Sequence, residues 1–146
     1  MDKKYKVGYT TGVFDLFHIG HLNILKRAKE MCDYLIAGIS TDECVKEYKH
    51  KRPVITFEER VAIVEAIKYV DKVVPQENMD KLAAYKKHQF NVVFVGDDWK
   101  GSDKWNKIEA AFAKYGVDVV YFPYTQNTSS TLLIKVLKKL AEKEEK

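Results

Sequence analysis

Apolar residues along this chain switch repeatedly between a two-residue and a helical period, and that alternation restricts the fold more than any other property. Tyr5 to Val13 reads as a first strand ending in Gly12. Leu16 to Cys32 then puts Ile19, Leu22, Leu25 and Ala28 on one helical stripe that closes at Met31 or Cys32. The unbroken apolar run Tyr34 to Ile39 predicts a buried strand. Thr41 to Tyr48 predicts a short helix begun by a Ser40/Thr41 cap, with Asp42 and Glu43 in its first turn, followed by a basic loop from Lys49 to Pro53. Thr56, with Glu59 completing a capping box, predicts a helix from Phe57 to Tyr69. Lys72 to Val74 reads as a short strand and Glu77 to His88 as a helix. Val92 to Val95 is a further buried strand, stopped by Gly96-Asp97-Asp98. Lys104 to Tyr115 is helical up to Gly116, Val117 to Phe122 is a strand, and Thr128 to Glu142 is a last helix before a charged tail.

Strands that alternate with helices in this way build a parallel sheet covered on both faces. The expected class is therefore α/β, a single Rossmann-like domain over residues 1–146, with no repeat or linker to divide it. In such sheets ligands sit beyond the carboxyl ends of the strands, where strand order reverses. That rule points to Thr10–His21, Ile39–Arg52, Gly96–Asp103 and Tyr124–Thr131.

The first of these segments carries the most chemistry. Gly12 permits close approach of a ligand to the backbone, and the helix that follows offers free N–H groups to an anion. His18 and His21 stand three apart on its first turn, so they share a face and can donate to phosphate oxygens, with Gly20 keeping the space between them clear. Taken alone, such a pair reads as surface caps; as zinc ligands it lacks a third donor at suitable spacing. No Gly-Lys-Ser/Thr follows, which excludes a Walker A loop. One loop glycine before the helix is too few for a dinucleotide fingerprint, so a redox Rossmann domain is disfavoured.

The run Gly12-Val13-Phe14-Asp15-Leu16-Phe17-His18-Ile19-Gly20-His21 resembles the first-loop signature of the HIGH-type nucleotidyltransferases. Ile39-Ser40-Thr41-Asp42-Glu43, Glu59-Arg60, Tyr69-Val70-Asp71 and Gly96-Asp97-Asp98-Trp99-Lys100-Gly101 extend the resemblance to the glycerol-3-phosphate cytidylyltransferases, over about Val7 to Ile134. The resemblance implies in-line attack of an acceptor phosphate on the α-phosphorus of CTP with loss of pyrophosphate. No covalent intermediate is implied, so the protein's task is positioning and charge stabilisation.

By the same resemblance His18 and His21 stabilise the transition state, and Lys49 and Lys51 grip substrate and nucleotide phosphates. Thr11, Gly12, Val13, Phe14, Gly20, Arg60, Lys68 and Asp98 are implied in nucleotide binding, and Asp15, Lys49, Lys81 and Trp99 in acceptor binding. Tyr124-Thr125-Gln126-Asn127-Thr128-Ser129-Ser130-Thr131 aligns with the family's R-T-E-G-I-S-T-T signature, which brings Tyr124, Thr125, Ser129, Ser130 and Thr131 to the nucleotide. Tyr124 stands where the family has arginine, Asn127 where it has glycine, and Val13 where threonine is common. Mg²⁺ is expected on the triphosphate oxygens, because no acidic cluster suggests a protein-only site.

Composition agrees with a small anionic substrate. Lys and Arg number 25 against 21 Asp and Glu, an excess too small and scattered to argue nucleic acid. Two cysteines without metal-type spacing, Cys32 and Cys44, read as free thiols of a reducing cytoplasm. No stretch reads as a signal peptide or membrane span, so a cytoplasmic enzyme is expected, and the resemblance implies a homodimer. The alternatives are an ATP-dependent adenylyltransferase of the same superfamily and a non-catalytic nucleotide-binding module. Gly96-Asp97-Asp98-Trp99 favours CTP over the first, and both histidines with several lysines speak against the second.

Overall fold

A computed structural model describes residues 4–123 and 130–144. Five strands form one parallel sheet: β1 (Tyr5–Gly12), β2 (Cys32–Ser40), β3 (Lys72–Gln76), β4 (Val92–Gly96) and β5 (Asp118–Phe122), in the spatial order β3-β2-β1-β4-β5. The helices are α1 (Ile19–Met31), α2 (Asp42–Lys49), α3 (Phe57–Glu65), α4 (Lys81–His88), α5 (Asp103–Ala113) and α6 (Ser130–Glu144), with one 3₁₀ turn at Asp97–Trp99. The chain walks outward from β1 through β2 to β3, then returns to place β4 on the other side of β1. The reversal between β1 and β4 is the switch point at which such sheets bind ligands.

Side-chain alternation along the strands divides the core into two layers. Leu35, Ala37 and Ile39 of β2, with Val92 and Phe94 of β4, face one side and pack with Leu25 and Ala28 of α1 and Val64 of α3. Ile36 of β2 and Val93 of β4 face the other, against Trp105 and Phe112 of α5. The expected coverage of both faces is therefore realised. Gly8 is set by packing: a Cβ there would stand 2.6 Å from the Phe94 ring and 2.8 Å from the Cys32 sulfur.

Most elements lie where the periodicity puts them, and the differences have local causes. His18 caps α1 from outside rather than sitting on its first turn. α3 ends at Glu65 rather than Tyr69. Short-range bonds from Ala66 to Ile63 and Ile67 to Val64 tighten the chain, after which Ile67, Tyr69 and Val70 turn onto the core. Asp71 then pins this segment to β2, its amide donating to the Leu35 carbonyl at 2.9 Å and its carboxylate accepting from the Leu35 amide at 2.8 Å. The capping box expected at α3 is absent: the Thr56 hydroxyl meets the Glu59 carboxylate instead of a backbone amide. α4 starts at Lys81 rather than Glu77, because β3 runs on to Gln76 and Asp80 is the residue whose carboxylate accepts from the Ala83 amide, at 3.0 Å.

Candidate active site

Beyond the carboxyl ends of β1, β4 and β5 lies a cavity of about 290 Å³. Val13, Phe14 and Asp15 of the first loop line it together with His18, Gly20 and His21 at the start of α1. Lys49 enters from the end of α2, Lys51 from the loop after it, Trp99 from the 3₁₀ turn, and Ser130 and Thr131 from the first residues of α6. Chain segments far apart in sequence thus meet at the switch point. The lining also includes residues that carry no motif. Arg52 and Pro53 follow Lys51, Ile24 stands one turn beyond His21 on α1, and Val45, Gly96, Pro123 and Ile134 complete the wall. Helical spacing from His21 is the signal that would have found Ile24; Arg52 was legible as part of the basic loop.

The backbone of the first loop sets the orientation of both histidines. Phe14 and Leu16 adopt left-handed conformations, φ 56° and 49°, which turn the chain sharply between β1 and α1. Phe14 is buried, and its ring covers Gly12 closely enough that a Cβ there would lie 3.1 Å from it. The Nδ1 of His18 accepts from the Gly20 amide at 3.0 Å, and the Nδ1 of His21 accepts from the His18 amide at 3.2 Å. Both Nδ1 lone pairs are therefore occupied by backbone donors. A neutral imidazole in that position carries its proton on Nε2.

Electrostatics keep the pair neutral. The rings stack at 3.9 Å between centroids, and His21 is further enclosed by the rings of Phe14 and Phe17 at 5.3 and 5.2 Å. Burial pushes the His21 pKa down to about 3, reinforced by the neighbouring His18. Burial lowers His18 as well. In the same cavity the Lys49 ammonium is lowered by burial and by Lys51, and raised in part by Asp15. The arrangement can therefore offer two oriented neutral N–H donors and a cluster of cations in one cavity. That combination suits a polyphosphate and the charge that develops on it during displacement.

Several residues read as ligands do other work. Arg60 is fully buried and does not line the cavity; its Nε donates to the Ile55 carbonyl, Nη1 to those of Val13 and Ser40, and Nη2 to Asp42. Three of these bonds end on backbone carbonyls and the fourth on the Asp42 carboxylate, so its role is corrected from nucleotide contact to support of the first loop. Asp15 borders the cavity, but its two carboxylate oxygens accept from the amides of Val54 and Ile55, each at 2.8 Å. Those bonds give it a structural task beside its place in the cavity wall.

Lys81 is buried beside β1, its Nζ donating to the Thr11 hydroxyl at 2.7 Å and to Gln76 Oε1 at 3.1 Å. Burial, aided by Lys104, holds its pKa down to about 8. It does not line the cavity, and its partner Gln76 has no sequence signature. Lys68 is exposed in the turn before β3, at the amino edge of the sheet, the end opposite the cavity, so the proposed nucleotide contact is corrected there too. Thr11 and Gly12 end β1 just below the lining residues. Asp98 lies in the 3₁₀ turn. Tyr124, Thr125 and Ser129 fall outside the described residues. Among the described residues no group of three or more His, Cys, Asp or Glu is placed to hold a metal ion.

Comparison with known proteins bears on the fold and the family. The cytidylyltransferase-like family profile matches residues 9–140. Glycerol-3-phosphate cytidylyltransferase of Bacillus spizizenii is 40% identical over 127 residues, covering 86% of this chain and 92% of the relative. FAD synthase of Thermococcus sibiricus is 32% identical over 144 residues, 97% of each chain. Among solved structures, the lipopolysaccharide core biosynthesis protein from Thermoplasma volcanium superposes with a TM-score of 0.70 at 22% identity, over 85% of this chain and 99% of that one, a likeness of fold. With a profile match across nearly its whole length and relatives of this identity and coverage, the chain belongs to the cytidylyltransferase-like family of nucleotidyltransferases.

Proposed function

We propose that this enzyme transfers CMP from CTP to glycerol-3-phosphate or a related polyol phosphate, releasing pyrophosphate. The observation that carries the reading is the convergence of His18, His21, Lys49 and Lys51 on one cavity at the switch point of the sheet. In the proposed step an acceptor phosphate oxygen attacks the α-phosphorus, a P–O bond forms, and the bond to the β-phosphate oxygen breaks in line with it. His18 and His21 donate from Nε2 to the oxygens on which charge accumulates. Lys49 and Lys51 hold the approaching phosphates, which would otherwise repel each other. The amides of Val13 and Phe14, Gly20, and the start of α6 with Ser130 and Thr131 cradle the nucleotide, and Trp99 walls the cavity. Mg²⁺ arrives with the triphosphate as part of that substrate.

The acceptor's character follows from charge. Asp15 supplies the one carboxylate among the described cavity-lining residues, and both its oxygens already hold backbone amides. A cationic head group such as choline would find no free counter-ion there; an uncharged polyol tail requires none. The identity to relatives named glycerol-3-phosphate cytidylyltransferase supports the same choice. The second reading is adenylyl transfer to FMN, favoured by the FAD synthase relative that matches over 97% of each chain.

Pyrophosphate release with Mg²⁺ separates the two. CTP, ATP, UTP and GTP are each offered with glycerol-3-phosphate, ribitol-5-phosphate, phosphocholine and FMN. Release confined to CTP with a polyol phosphate is the expected result. Release only with ATP and FMN would replace the first reading with the second. We also propose a cytoplasmic homodimer formed around α1 and the loops after it, a region that exposes Ile19 and Val54. Among the described residues no helix is long and apolar enough to cross a membrane.

A further inference from the structure

We propose that Arg60 and Asp15 are positioning residues that clamp Ile55 at its amide and its carbonyl and so fix Lys49 and Lys51 relative to the histidine pair. The inference rests on the nucleotidyl-transfer reading for its effect on rate. The Ile55 amide donates to Asp15 Oδ1 at 2.8 Å, and the Ile55 carbonyl accepts from Arg60 Nε at 3.0 Å. The neighbouring Val54 amide donates to Asp15 Oδ2 at 2.8 Å. One loop residue is therefore gripped on its donor side by the first loop and on its acceptor side by α3.

The same guanidinium reaches three further points around the site. Nη1 donates to the Val13 carbonyl at 2.7 Å, which ties it to the cavity-lining first loop, and to the Ser40 carbonyl at 2.8 Å at the end of β2. Nη2 pairs with Asp42 at 2.6 Å, at the first residue of α2. The segment bearing Lys49, Lys51 and Arg52 thus begins and ends on Arg60: at Asp42 before the lysines and at Ile55 after them. Between these anchors the chain has only the short helix α2, a left-handed His50 at φ 58° and the loop itself. With both ends and the first loop held by one buried group, the separation between the lysines and His18/His21 is set by the clamp. A buried cation need not bond four segments of the site merely to stabilise a fold, since an apolar side chain of similar volume would pack as well.

A double-mutant cycle tests this. Arg60→Lys keeps the charge but loses the fork of donors, and it is expected to lower kcat about 10- to 100-fold, the scale of a misplacement near 1 Å. Lys49→Ala is expected to lower kcat/KM at least tenfold in the wild-type background but to cost no more than about threefold on top of Arg60→Lys, because the lysine is already misplaced. Equal fold-losses in the two backgrounds would overturn the proposal and leave Arg60 as support for the fold alone. Should Arg60→Lys fail to fold, Asp15→Asn goes through the same cycle, and kcat and KM values equal to wild type would overturn it too. The cycle is read in parallel on CTP and ATP affinity by calorimetry. A wild type that releases no pyrophosphate with any pair defeats the functional reading, while coupling between Lys49 and the clamp is still measured as a change in affinity. Independent effects there count against the clamp.

Discussion

At the residue scale the site depends on which nitrogen of each histidine carries the proton. Backbone amides of Gly20 and His18 occupy the two Nδ1 positions, so Nε2–H is left for the ligand, and burial keeps His21 neutral far below neutral pH. Long-range proton–nitrogen NMR correlations should find the Nε2–H form for both rings at pH 7 and a His21 that stays neutral at pH 5. A His21 titrating near its ordinary pKa of about 6.5 would contradict this. The same shift has a sign for stability. A folded-state pKa below the unfolded one means the unfolded chain binds more protons, so this contribution is complete above about pH 6.5 and is lost as pH falls toward the folded value. His18 and His88 are shifted down as well and act in the same direction. Chemical denaturation between pH 7 and pH 4.5 should show stability falling with acid, with a shallower fall in His21→Gln; an unchanged slope in that variant would refute the assignment.

At the element scale, legibility followed the reach of the signal. The stripe Ile19, Leu22, Leu25, Ala28 and the apolar runs of β2 and β4 are local patterns, and those elements stand where the patterns put them. The ends of α3 and α4 were not legible, because long-range partners decide them: Asp71 draws the chain onto β2, and Asp80 rather than an earlier acid supplies the α4 cap. His18, His21, Lys49, Lys51, Asp15 and Trp99, all in recognisable motifs, line the cavity, but the same motif logic also singled out Arg60 and Lys68, which do not. Spacing identifies a conserved-looking polar residue; it does not say whether its donors point at the ligand or at the backbone. Gln76, which shares Lys81 with Thr11, carries no pattern at all. Removing the cap of α4 by Asp80→Ala should cost about 1 kcal/mol, with no change in KM for either substrate, measured by urea denaturation and initial rates. A large rise in KM would mean that α4 belongs to the binding surface.

At the scale of the whole molecule, a parallel sheet whose strand order reverses between β1 and β4 opens a crevice at its carboxyl edge, and separate segments of the chain deliver side chains into it. Two packed faces hold the sheet rigid beneath: Phe94 and Leu25 on one, Val93 and Phe112 on the other. Phe94 is almost wholly buried, and Phe94→Ala should destabilise the fold by about 3–5 kcal/mol, read from the denaturation midpoint. Under the proposed function, the scaffold presents two neutral donors and a cluster of cations to one cavity. The most direct test of that claim is turnover in His18→Ala and His21→Ala, measured beside CTP affinity and the melting temperature. Rates lower by about two to four orders of magnitude, with the fold intact and CTP affinity little changed, are what transition-state donors predict. Near-normal turnover in either variant would contradict the account.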